Sequence, residues 1–198
     1  MPAASARPLA TYADLAALGD DTRAEIIHGA IIEKAAPSFE HGVAQSSLSG
    51  LIGPRFGRRS GGNGGPGGRW IASEVEVEYG ANEVFRHDLA GWLRARAPEM
   101  PRGSPTRLRP DWVCEILSPS NAKRDLVDKL RVLQASGVPH YWILDPVERV
   151  LLVHRLESTG YVVALAAAPG ESVRAEPFDA IAISVGALFG DDEDDAAT

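Results

Sequence analysis

Two carboxylates stand where carboxylates are costly. Asp88 lies in FRHDLAGW and Glu115 in DWVCEIL, runs otherwise apolar enough to be strands of a core. Taking an ionised carboxylate out of water costs on the order of several kcal/mol unless the group is paired or binds metal. Two such groups on separate strands of one sheet can converge on a single hard cation. Mg²⁺ or Mn²⁺ suits them, because these ions take oxygen ligands and few of those come from protein. A cation so held can generate hydroxide and stabilise a phosphoryl centre and its leaving oxygen. Phosphodiester hydrolysis fits such a pair. The residues alone leave an alternative open, in which each acid is paired to Arg86, Arg94 or Arg124 or is exposed at a sheet edge.

Other chemistry-bearing residues are weaker candidates. Asp111 precedes Glu115 by four residues and, at about 3.3 Å per strand residue, sits roughly 13 Å away, too far to share one metal. It reads as structural. Cys114 points to the opposite strand face from Glu115 and reads as core. Glu76 belongs to an alternating acidic face, Glu74-Glu76-Glu78, and reads as solvated. His41 opens a helix, where a surface capping role is favoured over contact with a phosphate. Ser118-Pro119-Ser120 lacks the Gly-x-Ser-x-Gly frame of a nucleophile elbow. The glycine run 61–68 lacks the Gly-Lys-Ser/Thr ending of a phosphate loop, so no nucleotide cofactor is expected. Arg55, Arg58 and Arg59, with Arg102, Arg107 and Arg109, could meet a phosphate backbone.

The elements that must position these groups follow from the apolar pattern. Thr11 and Asp14 resemble a capping box that starts a helix, with Gly19 as its stop. Residues 24–33 predict two short strands hinged at Gly29. Val43, Leu48, Leu51 and Ile52 recur at helical spacing and predict a helix from Phe39 to Phe56. Residues 60–68, SGGNGGPGG, predict a mobile loop. Trp70–Tyr79 and Val84–Leu93 predict two strands joined at Gly80-Ala81-Asn82, and Asp111–Leu117 a buried central strand. A helix is predicted over Ala122–Ser136, then strands over His140–Leu144, Val150–Leu156 and Tyr161–Ala167, with a last short helix at Ser184–Phe189. That order predicts a mixed α/β fold, a central mixed sheet flanked by helices.

The chain has 198 residues, 44% hydrophobic and 24% charged, and its length suits a single domain spanning 11–190. A flexible N-terminus (1–10) and an acidic disordered tail (191–198) are expected on either side. One cysteine excludes an intramolecular disulfide and a cysteine-based zinc cluster. No apolar run is long enough for a bilayer, and MPAASARPLA lacks the apolar stretch of a secretory signal, so no membrane association and a cytoplasmic location are expected. The net charge is -7, but five acids lie together in the tail, so the body is nearly neutral and no obstacle to a nucleic-acid substrate.

The stretch RPDWVCEILSPSNAKRDLVDKLRVLQASGVPHYWILDP resembles the Uma-two-like restriction endonuclease family, a branch of the PD-(D/E)XK nuclease superfamily. AEIIHGAIIE, His41 at a helix start and the Asp88 strand add to the likeness, which covers roughly residues 10 to 190. The resemblance implies a restriction-endonuclease-like core, a divalent metal and cleavage of DNA. It makes Asp88 the first metal-binding acid and Glu115 the second, and suggests Glu25 as an additional acid near the metal. The signature lysine belongs two residues after the second acid, where this chain has Leu117. Lys129, in the following helix, matches the family's replacement. Helical spacing agrees, placing Lys129 on one side with Leu126 and Leu133, where its stem can lie along apolar surface. The expectation is a metal-dependent endodeoxyribonuclease, with a homodimer through the hairpin edge as a further possibility. The alternative is a nuclease-fold protein that binds nucleic acid or a protein partner without cutting.

Overall fold

The computed structural model describes residues 8–19, 22–119 and 121–192. The expected flexible start and acidic tail fall largely outside that range, as does Ser120. Within it, Asp191 pairs with Arg149 at 2.5 Å. Helix α1 (Tyr12–Ala16) begins as expected, with the Asp14 carboxylate accepting from both the backbone N–H and the hydroxyl of Thr11. Strands β1 (Ala24–Ile27) and β2 (Ala30–Glu33) form a hairpin whose turn holds His28 and Gly29 at positive φ. Helix α2 (Phe39–Phe56) buries His41, Ala44, Leu48, Ile52 and Phe56 along one face.

The glycine run is stitched to the end of α2: Gly67 N–H bonds Arg55 O and Gly68 N–H bonds Arg58 O. A Cβ at Gly61 or Gly67 would collide with backbone of the same segment, so the close approach itself requires glycine. Then β3 (Arg69–Gly80) and β4 (Glu83–Leu93) make a long hairpin. Its outer edge is partly covered, because Thr106 exchanges backbone bonds with Glu76 and Glu78. Strand β5 (Trp112–Ile116) runs parallel to β6 (His140–Asp145), and β7 (Val150–Glu157) and β8 (Gly160–Ala167) follow antiparallel.

These eight strands form one mixed sheet in the order β2-β1-β4-β5-β6-β7-β8, with β3 on β4. Alternation along β5 divides the core. Trp112, Cys114 and Ile116 face α2 and the C-terminal segment, while Val113 and Leu117 pack with Leu133 and Val138 on the other face. Cys114 is therefore core, as its parity predicted. The C-terminal segment adds a two-stranded ladder that the sequence pattern did not reveal, β9 (Ser172–Val173) with β10 (Ile183–Ser184). The expected last helix is a short 3₁₀ turn, Gly186–Phe189.

Two departures bear on the site. The helix expected over 122–136 begins as a π-helical segment, Arg124–Lys129, before α3 (Leu130–Ala135). The widened turn changes which side chains align: Asp125, Lys129 and Leu133 are buried, whereas Leu126, expected on that side, is 39% exposed. Second, the sheet forks. On one side of β4, β1 pairs at Val84 and β5 pairs at Leu89–Gly91, leaving Arg86, His87 and Asp88 between two diverging strands.

Phe178 anchors the C-terminal segment edge-on against Phe56, Trp112 and Trp142. Phe178→Ala is expected to cost about 3–5 kcal/mol in urea unfolding. A loss below about 1 kcal/mol would mean that this segment contributes little to the core.

Candidate metal-binding and catalytic site

The fork leaves main-chain groups of β4 without a strand partner, and side chains take them. Arg86 N–H donates to Glu25 Oε1 at 2.9 Å, and Arg86 O accepts from Lys34 Nζ at 2.8 Å. Asp88 O accepts from Gln45 Nε2 at 3.0 Å. Across the gap, Ile116 N–H donates to Asp88 Oδ2 at 2.7 Å, so the carboxylate stands where a ladder carbonyl would. The acids are thus built into the sheet as well as into the site.

Asp88 and Glu115 approach this gap from different sides. Asp88 meets His41 of α2, whose Nε2 lies 3.3 Å from Oδ2. Glu115 shares the α3 face with Val113 and Leu117. They meet at Lys34, whose Nζ is 3.2 Å from Asp88 Oδ1 and 3.9 Å from Glu115 Oε2. Lys129 enters from the helix, 2.8 Å from Glu25 Oε1, 3.0 Å from Glu115 Oε1 and 3.1 Å from Asp125 Oδ1. Behind Glu115, His87 Nδ1 lies 2.6 Å from Oε1, and His87 Nε2 lies 2.7 Å from the Tyr79 hydroxyl.

Glu25, Asp88, Glu115 and Lys129, the four site residues expected from sequence, all gather here, each 2% exposed or less. The environment separates the acids electrostatically. Burial opposes the charge on Asp88, but the His41 ring, the Lys34 ammonium and the Ile116 N–H hold its carboxyl below the usual range. Burial likewise opposes ionisation of Glu25, and Lys129 and Lys34 outweigh it. For Glu115 burial wins, helped by Asp88 and Glu25 against the two lysines, and its carboxyl is pushed up to about 7. Asp125 is also pushed up to about 7, chiefly by burial. Burial, then Lys129, lowers His87 to about 3, so the ring is neutral. Burial raises the Tyr79 phenol, and the neutral His87 ring bridges that hydroxyl, through Nε2, to Glu115, through Nδ1.

The remaining candidates go elsewhere. Asp111 accepts from Leu93 N–H and pairs with Arg96, a structural role. Glu76, expected to be solvated, instead binds Arg86 at 2.6 Å and the Ser104 hydroxyl at 2.6 Å. Arg94 lies over the Trp70 ring and donates to Gly57 O. The open alternative of arginine pairing therefore fails for Arg86 and Arg94; Lys34 and Lys129 surround the two acids. Among the other basic residues, Arg55 donates to Leu51 O, Arg107 to Glu78 and Arg109 to Gly137 O. His41 is not a surface cap: Ser38 caps the helix by accepting from His41 N–H, and the ring turns inward. Sequence reasoning missed Lys34, His87, Tyr79 and Asp125. Of these only Asp125 carried a usable signal, four residues before Lys129 on one helix.

The donor set suits a hard cation. Asp88 Oδ1 and Glu115 Oε2 both face the Lys34 ammonium, and Mg²⁺ is typically bound by one or two carboxylates with water and phosphate completing its shell. Among the described residues, no three His, Cys, Asp or Glu side chains are grouped closely enough to hold a metal by themselves. Asp88 and Glu115 are the two carboxylates whose remaining oxygens face the same ammonium, that of Lys34.

The model of the Uma2 family, described as "Putative restriction endonuclease", matches residues 9–186. The chain belongs to this family. A crystal structure described as "a putative nuclease belonging to DUF820", from Anabaena variabilis, superposes with a TM-score of 0.70 at 21% identity. The match covers 90% of this chain and 97% of that one. At that identity the likeness speaks for the fold, a mixed α/β nuclease fold. No curated protein matches. In this Uma2 chain, Leu117 is packed into the apolar cluster of the α3 face, and the lysine beside Glu115 comes from the helix.

Lys129→Met leaves Glu25, Glu115 and Asp125 short of their shared cation. It is expected to cost roughly 3–5 kcal/mol in chemical unfolding. A cost under about 1 kcal/mol, the worth of an exposed pair, would show that these acids are already neutral in the folded protein.

Proposed function

We propose that this protein is a divalent-metal-dependent endonuclease that hydrolyses DNA phosphodiester bonds, with Mg²⁺ or Mn²⁺ held by Asp88 and Glu115. The observation that carries the reading is the approach of both carboxylates to one ammonium. Membership of a family of restriction-endonuclease type supports a nucleic-acid substrate. When bound, the metal supplies a water of lowered pKa and positive charge at phosphorus.

The chain's own groups do the rest. Lys129 positions Glu115 and Glu25 and brings positive charge to the buried side of the site. His87, oriented by Tyr79, fixes Glu115 through Oε1 and leaves Oε2 towards the gap. His41 and the Ile116 N–H fix Asp88. Glu25 braces Arg86 N–H and Lys129, a supporting role on the edge of the metal site. A second reading, binding without cleavage, is favoured by one observation: the acids are already answered by the chain's own lysines.

Relaxation of supercoiled plasmid with Mg²⁺ or Mn²⁺ tests the first reading. Asp88→Asn and Glu115→Gln should each reduce nicking by about a hundredfold or more, since even outer-shell losses at metal sites cost roughly 10–100-fold in affinity. Chelation should abolish it. Nicking that survives in either variant, or in excess chelator, would refute metal-dependent cleavage at this site. DNA retention without nicking would favour the second reading.

A further inference from the structure

Lys34 follows directly after β2 at the edge of the sheet, yet its side chain is only 6% exposed. Its ammonium is turned inward to the fork, where Glu25 Oε1 lies 3.9 Å away, Asp88 Oδ1 3.2 Å and Glu115 Oε2 3.9 Å. Three carboxylates from three strands converge on a positive atom that the chain itself supplies.

The division of oxygens is the informative part. Asp88 Oδ2 is taken by the Ile116 N–H and faces His41. Glu115 Oε1 is taken by His87 and Lys129. The oxygens left for a metal ion are Asp88 Oδ1 and Glu115 Oε2, the two that Lys34 approaches. Its hold on them is loose. Its shortest contact, at 2.8 Å, is to the Arg86 carbonyl, and the carboxylate distances are longer. Mg²⁺ binds oxygen at about 2.0–2.1 Å with twice the charge, so ion and ammonium compete for one place.

We propose that Lys34 is a tethered competitor for the divalent ion: it holds the free oxygens of Asp88 and Glu115 and must leave the fork for metal to enter. The inference rests on the metal-dependent reading and adds that this lysine sets the metal affinity. Without metal, it offsets charge that would otherwise drive the two acids apart.

Mn²⁺ binding to the 198-residue chain, measured by titration calorimetry, tests it. Lys34→Met should bind Mn²⁺ at least about tenfold more tightly than the wild type, and Lys34→Arg, which keeps the charge, should not. Because Lys34→Met also removes a buried counter-charge, its thermal midpoint is followed in parallel. Added Mn²⁺ should raise that midpoint by more than it raises the wild type's. Equal or weaker Mn²⁺ affinity in Lys34→Met overturns the proposal, as does a Lys34→Met chain that stays unfolded at saturating Mn²⁺. Plasmid nicking by the same preparations separates the two readings. Tighter Mn²⁺ binding without nicking in either protein keeps the lysine's assignment and removes the nuclease. Nicking with unchanged Mn²⁺ affinity does the reverse.

Discussion

Four carboxylates, those of Glu25, Asp88, Glu115 and Asp125, are withdrawn from water against two ammonium groups, Lys34 and Lys129. An imbalance of this kind is costly, and well-packed apolar residues would make a more stable core. Buried charge that does not favour stability is a mark of functional sites, where ionisation is matched to a task. The shifts here separate in that way. Asp88 is held ionised by contacts that answer its charge, while Glu115 and Asp125 are pushed up to about 7. Proximity therefore yields two kinds of acid, one fixed as an anion and one responsive to any positive charge placed beside it.

The fold can tolerate this because the sheet is incomplete where the acids lie. A continuous ladder would satisfy Arg86 and Asp88 through backbone and leave no room for a cation in its plane. Because β1 and β5 diverge from β4, main-chain groups in the gap need partners and carboxylates supply them. The same hydrogen bonds orient the acids, so orientation and fold closure are one interaction. Neutralising Asp88 would disturb its link to β5 as well as any metal site, whereas Asp111, bonded to Leu93 and Arg96, serves the fold alone.

The sheet, its order of elements and the two central acids were legible because each left a periodic or compositional mark. Parity along DWVCEIL separated Cys114 from Glu115, and apolar flanks made Asp88 and Glu115 anomalous. Lys34, His87 and Tyr79 left no such mark. Lys34 follows a short, part-exposed strand and looks like any solvent-facing lysine; its inward turn depends on a gap that forms only when β1 and β5 both meet β4. His87 is adjacent to Asp88, and its role depends on Tyr79 from the other arm of the hairpin. Glu76 sat in an alternating acidic row, which suggested solvent, but Arg86 opposite it in the ladder claims it. Local pattern reports which face a residue takes; it does not report which partner from a distant segment waits there.

The helix carrying Lys129 shows how a lysine reaches Glu115 although the strand offers Leu117. Leu117 shares a strand face with Glu115, but that position is sealed among apolar neighbours, where an ammonium would be costly. The lysine must arrive from outside the sheet and reach inward past the α3 packing layer. In a regular α-helix the buried stripe alternates between three- and four-residue steps, which is why Leu126 was expected beside Lys129. The π-helical turn widens the step, so that Asp125, Lys129 and Leu133 stack as a column four residues apart and Leu126 is released to the surface. Leu133 anchors the column in the apolar core, Asp125 offers the ammonium a counter-charge on its own element, and Lys129 between them is directed at Glu115 and Glu25. A local departure from helical geometry thus takes over the position that the strand gives to leucine.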